Sequence, residues 1–212
     1  MPDLWLTDLV QNRTMSSEMA ATLAADYGDS SDGGEEHGHA GGAPARTRLD
    51  GVSRGVEAGA GRGLGIPATG DVGYLLLSEI AQAGFDDYLW GAEVRQVFGA
   101  LPGGFSLATA LHSGGVEEAF DVITRQNGVP DELAARIELV TYIRSIGPWD
   151  RPYRRVIESM YEIDGVHDGC PAARLLHRWI EHEDRFEVVE DPRHIGTVAG
   201  SLERYRALFA QA

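Results

Sequence analysis

Two apolar runs in this chain end in residues fit for chemistry. Leu75-Leu-Leu-Ser-Glu79 closes on a carboxylate, and Gly104-Phe-Ser-Leu-Ala-Thr-Ala-Leu-His-Ser113 closes on an imidazole and a hydroxyl. A buried strand that delivers a carboxylate to the edge of a parallel sheet puts it where it can hold Mg²⁺ through water or polarise an attacking water. Glu79 is the candidate for both tasks, with Ser78 beside it as a binding hydroxyl. His112, brought next to such a carboxylate, would reach phosphate oxygens. Thr109 would orient water or phosphate, and Ser113 adds a second binding hydroxyl. Any one of these residues alone reads more simply as a polar group ending a strand; their order and spacing together carry the argument.

Hydrophobic periodicity sets the strands and helices that carry these residues. The run over residues 73–80, bounded by glycines, reads as a buried strand, and Phe105 to Leu111 as a second one. Asp86 to Ala100 reads as a helix with Tyr88, Leu89, Val94, Val97 and Phe98 inward, ended by Pro102-Gly-Gly104. Val116 to Gln126 reads as a helix with Val116, Ala119, Phe120 and Ile123 on one face, and Pro130 opens a short one. Ile137 to Ile146 and Val156 to Ile163 read as strands around the turn Gly147-Pro-Trp-Asp150. A helix at Ala172 to His182, a short strand at Phe186 to Val189 and a last helix from Thr197 to Phe209 complete the series. At the N-terminus, apolar spacing predicts one or two amphipathic helices, with Ser16 and Ser17 as caps. Strand and helix alternate, which predicts an α/β domain with a mainly parallel sheet.

Composition narrows the partners. A net charge of −15 opposes nonspecific binding to nucleic acid or anionic membrane, so nucleic acid is not an expected partner. All 18 basic residues are arginine. One cysteine, Cys170, excludes an internal disulfide and suits a cytoplasmic location; it reads as a buried or incidental thiol. No signal peptide and no membrane-spanning run is expected. His177 and His182 read as surface residues, and Arg144, Arg151, Arg154 and Arg155 as solvated charge.

On these motifs the chain resembles the motor ATPases of type II secretion and type IV pilus systems. Leu75-Leu-Leu-Ser-Glu-Ile80 is similar to their Walker B segment, and Gly104 to His112 to their histidine box. The helix from Glu117, the run Ile137 to Arg144 and the run Arg155 to Ile163 resemble the helix and two strands that come after the histidine box in that family. The resemblance covers about residues 73–165 and implies a three-layer P-loop (RecA-like) fold with helices on both faces of the sheet. It also implies ATP and Mg²⁺ as ligands, a homo-oligomer or an active homologue as partner, and an inner-membrane platform protein. Departures accompany it: Ser78 stands for a glycine, Phe105 for the first histidine of the box, and Ile80 is not followed by Arg-Asp. The organisation it implies is a helical segment over 1–25, a Gly-rich segment over 26–64, an ATPase-like core over 65–165 and an α/β appendage over 166–212.

The phosphate-binding loop is missing. No G-x-x-x-x-G-K-[ST] occurs, and without lysine none can. Residues 26–62, where such a loop belongs, are rich in Gly, Ala, Asp, Glu and Arg and predict loop or disorder, or a stretch translated out of frame. Read one base later, Gly33-Gly-Glu-Glu-His37 can encode Ala-Gly-Lys-Ser-Thr, the end of a phosphate loop. The chain as translated is then an ATPase-like protein with little activity, or a degenerate, noncatalytic relative that acts in assembly or binding. His37 and His39, without a fixed third ligand, predict only weak metal binding.

Overall fold

The structure is a computed structural model that describes residues 6–31, 73–77, 79–82, 88–195 and 201–210. Ser78 lies outside the described residues, as do residues 32–62 of the stretch expected to be loop, disorder or out of frame, with His37 and His39; the start of that stretch, residues 26–31, is instead helical. The chain divides into two compact units. The first comprises residues 1–47, 138–162 and 174–212, and the second 48–137 and 163–173.

The first unit is built on helices and most of an antiparallel sheet, residues 163–173 of which fall in the second unit. Helix α1 spans Leu6–Gln11, and α2 spans Ser17–Ser31. Ser16 caps α2, its hydroxyl accepting the Met19 N–H at 3.1 Å, as a serine just before a helix should. α2 packs against α6, Ser201–Phe209. Their apolar faces form a core of Met15, Met19, Ala20, Ala21, Ala25, Leu202 and Phe209, with Ile157, Met160 and Ile195. The strands are β5 (Leu139–Ile146), β6 (Arg154–His167), β7 (Cys170–Ile180) and β8 (Arg185–Val188), in the order β5-β6-β7-β8.

The second unit contains the runs that could carry chemistry. Strand β1, Gly73–Leu76, pairs in parallel with β4, Phe105–Ala108, with Gly73 opposite Phe105 and Leu76 opposite Ala108. β2 (Glu79–Ile80) and β3 (Tyr88–Leu89) form a second parallel pair, which takes Tyr88 and Leu89 out of the helix expected from Asp86. Helix α3, Ala92–Ala100, buries Val94, Val97 and Phe98, the spacing of a single helical face. A 3₁₀ turn, Leu101–Gly103, stops it, and Gly104 takes the left-handed conformation at φ 98° that leads into β4. Helix α4, Val116–Asp121, buries Val116, Ala119 and Phe120 and continues as a π-helical turn over Val122–Gln126. Helix α5 spans Asp131–Ala134.

Mixed α and β structure is therefore present, but the sheet expected to be mainly parallel is not. The largest sheet has antiparallel pairs, β5 with β6 and β7 with β8, and parallel pairing is confined to two-stranded pairs among the described residues. Connection length is the reason: parallel neighbours need a crossover of a dozen or more residues, and only a short link separates each of these strands from the next. The β6 to β7 link is Asp168-Gly169, with φ of 49° and 73°. Two positive φ values in a two-residue loop make a type I′ hairpin. That hairpin also corrects the helix expected at Ala172 to His182, which is strand β7. Among the described residues no helix is long and apolar enough to cross a membrane.

Candidate functional site

The parallel pairing of β1 and β4 brings the two run ends together. The ladder continues past both strands: the Leu77 N–H donates to the Ala108 carbonyl at 3.0 Å, and the Ile80 N–H to the Ala110 carbonyl at 2.9 Å. Glu79 and His112 thus emerge side by side at the C-terminal ends, with Glu79 Oε1 3.6 Å from His112 Nε2. Their settings differ. The Glu79 side chain is 18% exposed and the His112 ring 94% exposed. A half-buried carboxylate beside a solvent-facing imidazole offers an acceptor with a fixed position and a donor able to meet a ligand from solution.

Thr109 lies on the same edge. Its hydroxyl is exposed and donates to the Ala110 carbonyl at a long 3.4 Å, so it is available to a ligand. Ser113 is half-buried just after His112. The segment is held from α4: the Gly114 N–H donates to Glu118 Oε2 at 2.6 Å. Glu118 was not anticipated from the sequence. Its signal was present, a glutamate three residues after Gly115, the helix N-cap, where such side chains fold back onto backbone N–H groups.

Among the described residues no group of three or more His, Cys, Asp or Glu side chains could hold a metal ion. Mg²⁺ needs less from the protein: one or two carboxylates and the phosphates of its substrate serve, so Glu79 alone fits that donor set. A second requirement for phosphate chemistry is a cationic cradle, and here the chain offers only arginine.

Other polar residues singled out by type turn out to hold the fold. His177 is buried, not on the surface, with Nε2 3.0 Å from the Thr22 hydroxyl. Thr22 donates its own proton to the Glu18 carbonyl, so His177 must donate from Nε2, and Nδ1 is left without a partner. Burial, with the Arg206 guanidinium adding to it against Asp191, pushes the His177 pKa down to about 4. His182 is exposed, beside Glu183.

Glu162 is a heavily bonded carboxylate. It accepts N–H groups from Arg193, His194 and Ile195 at 2.8 to 2.9 Å and the Arg174 guanidinium at 2.5 Å. Burial pushes its pKa up, but these donors outweigh it and hold the group below its ordinary value.

The arginines expected to be solvated divide. Arg144 bonds Glu158 and Glu181, and Arg154 bonds Asp184 at 2.8 Å and the Arg13 carbonyl at 2.6 Å. Both guanidinium groups also flank the Trp179 ring, at 5.7 and 5.9 Å from its centroid. Arg151 and Arg155 are exposed. Cys170 is exposed rather than buried, 3.6 Å from an Arg125 nitrogen. Compared with family models and with curated proteins, the chain has no match.

Proposed function

We propose that the second unit is the phosphate-facing part of an ATPase-like protein related to the type II and type IV secretion and pilus motors, coupling ATP to assembly or transport. The observation that carries the reading is the convergence of Glu79 and His112 at the ends of two parallel-paired strands. In this reading Glu79 orients the attacking water or a Mg²⁺-bound water, His112 contacts the outermost phosphate, and Thr109 steers that water. Mg²⁺, when bound with the nucleotide, supplies charge neutralisation at the phosphates. A three-layer, RecA-like architecture belongs to the same proposal and is supported by the parallel β1–β4 and β2–β3 pairs alone, since the four-stranded sheet is antiparallel.

A second reading has its own observation. The absence of lysine removes the usual cation of the phosphate cradle, so the chain as translated would act as a noncatalytic relative, docking on an active homologue or a membrane platform. One titration separates the two. Mg·ATP is expected to bind the chain more tightly than the E79Q/H112A double variant; equal affinities would exclude the nucleotide reading and leave the docking one. Sequencing codons 20–70 of the gene, with the intact mass of the native protein, then decides whether a Lys-Ser/Thr loop exists in the true frame.

A further inference from the structure

We propose that Glu118 is a positioning residue that holds His112 beside Glu79, an inference that rests on the role given to that pair above. The pair does not hold itself. His112 is 94% exposed and its ring nitrogen stands 3.6 Å from its partner, beyond hydrogen-bond reach, so the contact does not fix the loop. What orders it is the backbone on either side. Two residues before His112, the Ala110 carbonyl accepts the Ile80 N–H at 2.9 Å; two residues after it, the Gly114 N–H is held by Glu118 at 2.6 Å. His112 is the midpoint of a span tied at both ends.

The second tie has a rigid base. Glu118 sits in the first turn of α4, which is anchored by buried Val116, Ala119 and Phe120. Gly115 supplies no side-chain cap, and Glu118 reaches back past it by one residue, to Gly114. A glutamate at this helix position ordinarily bonds the N-cap N–H. The displacement by one residue shifts the grip from the helix end to the loop that carries His112. A Cβ at position 114 would stand 2.8 Å from the same Glu118 oxygen, so a side chain there would shift the carboxylate end.

The rival role is a plain helix cap, and NMR of the full chain tells the two apart. The His112 Cε1–Hε1 peak is expected to move when Glu79 is replaced in the E79Q variant. In E118A that response to E79Q is lost, and in E118D it is lost as well, since the shorter carboxylate keeps the charge at the helix start without reaching Gly114. In E118Q, whose amide oxygen still accepts the Gly114 N–H, the response returns. A helix-capping role predicts instead a lower thermal midpoint for E118A with the E79Q response intact, and that result overturns the proposal; so does a lost response in E118Q. Failure of the wild-type chain to bind Mg·ATP removes the proposed function but leaves these peak shifts standing, so the two failures are distinguishable.

Discussion

In the first unit the buried ionisable side chains are committed to the fold; at the ends of β1 and β4 in the second, a half-buried carboxylate stands beside a solvent-facing imidazole. His177 and His112 make the contrast within one residue type. His177 is 1% exposed and bonded to Thr22, while His112 is 94% exposed and set 3.6 Å from a carboxylate. Glu162 and Glu79 repeat it for carboxylates, one wrapped by three backbone N–H groups and an arginine, the other beside an exposed ring. Burial separates structural polar residues from available ones, because a buried polar group is stable only when its bonds are already made within the protein. A residue with spare bonding capacity at a strand end is what chemistry requires.

The contrast is tested hardest at Glu162. Glu162→Ala takes the carboxylate partner from the Arg174 guanidinium, which is only 8% exposed and keeps the Asp191 carbonyl, and removes the acceptor that three N–H groups share. Removing one member of such a pair costs about 3–5 kcal/mol. Amide hydrogen exchange along β6 is expected to accelerate accordingly in E162A and less in E162Q, which keeps an acceptor; equal exchange in E162A and wild type would mean the carboxylate is dispensable.

Acid comes next. The His177 pKa of about 4 lies below the ordinary 6.5, so the unfolded chain takes up the proton first. Stability is therefore full above pH 6.5 and falls as the pH drops toward 4, by roughly 3 kcal/mol in total. Glu162, whose pKa is lowered from 4.5, contributes stability that is lost only below that value, leaving the window from pH 6.5 to 4.5 to histidine. H177L should flatten the urea midpoint across this window, and Thr22 stays satisfied through the Glu18 carbonyl. A wild-type midpoint that does not move between pH 7 and 4.5 would refute the buried, neutral imidazole.

How much of this was legible in the sequence varies with the kind of signal. The helical faces of Val94, Val97 and Phe98 and of Val116, Ala119 and Phe120 were readable because burial on one side of a helix leaves a spacing in the chain. The edge pair was readable for a similar reason: each residue ends an apolar run, and a parallel register places run ends together. Strand β7 was not. Its Pro-Ala-Ala-Arg-Leu-Leu-His-Arg stretch favours helix locally, and pairing with neighbouring strands overrides that preference. The Asp168-Gly169 dipeptide was the overlooked hairpin signal. His177 and Glu162 were opaque because their partners are 155 and 31 to 33 residues away, and composition does not report long-range hydrogen bonds.

The second unit has a buried polar residue that tests whether the contrast is a matter of burial or of unit. Asn127 is fully buried; its amide donates to the Val122 carbonyl at 2.8 Å, and its oxygen accepts the Gly91 N–H at 2.6 Å ahead of α3. N127A strands the Gly91 N–H, at about 1–3 kcal/mol, while the Val122 carbonyl keeps the backbone N–H of residue 127. Faster exchange in α3 with β6 unchanged is the expected pattern. An unaffected α3 would show that buried bonding in this unit is not what supports its elements.

The smallest expected effect on stability is also the sharpest test of the exposed edge. His112→Ala removes a ring that is almost wholly in solvent and whose near partner is Glu79 at 3.6 Å, so neither a core contact nor a short hydrogen bond to that carboxylate is lost. Substitutions of that kind leave stability near its starting value. H112A is therefore expected to melt with wild type, in contrast to H177L, E162A and N127A, while weakening Mg·ATP binding if the edge meets phosphate. A marked fall in the melting midpoint would place His112 among the structural histidines and remove the distinction on which the site rests. An unchanged midpoint with unchanged nucleotide affinity would keep the distinction and shift the role of the edge from phosphate to another ligand, because exposure and spare bonding capacity make a residue available without naming what it meets.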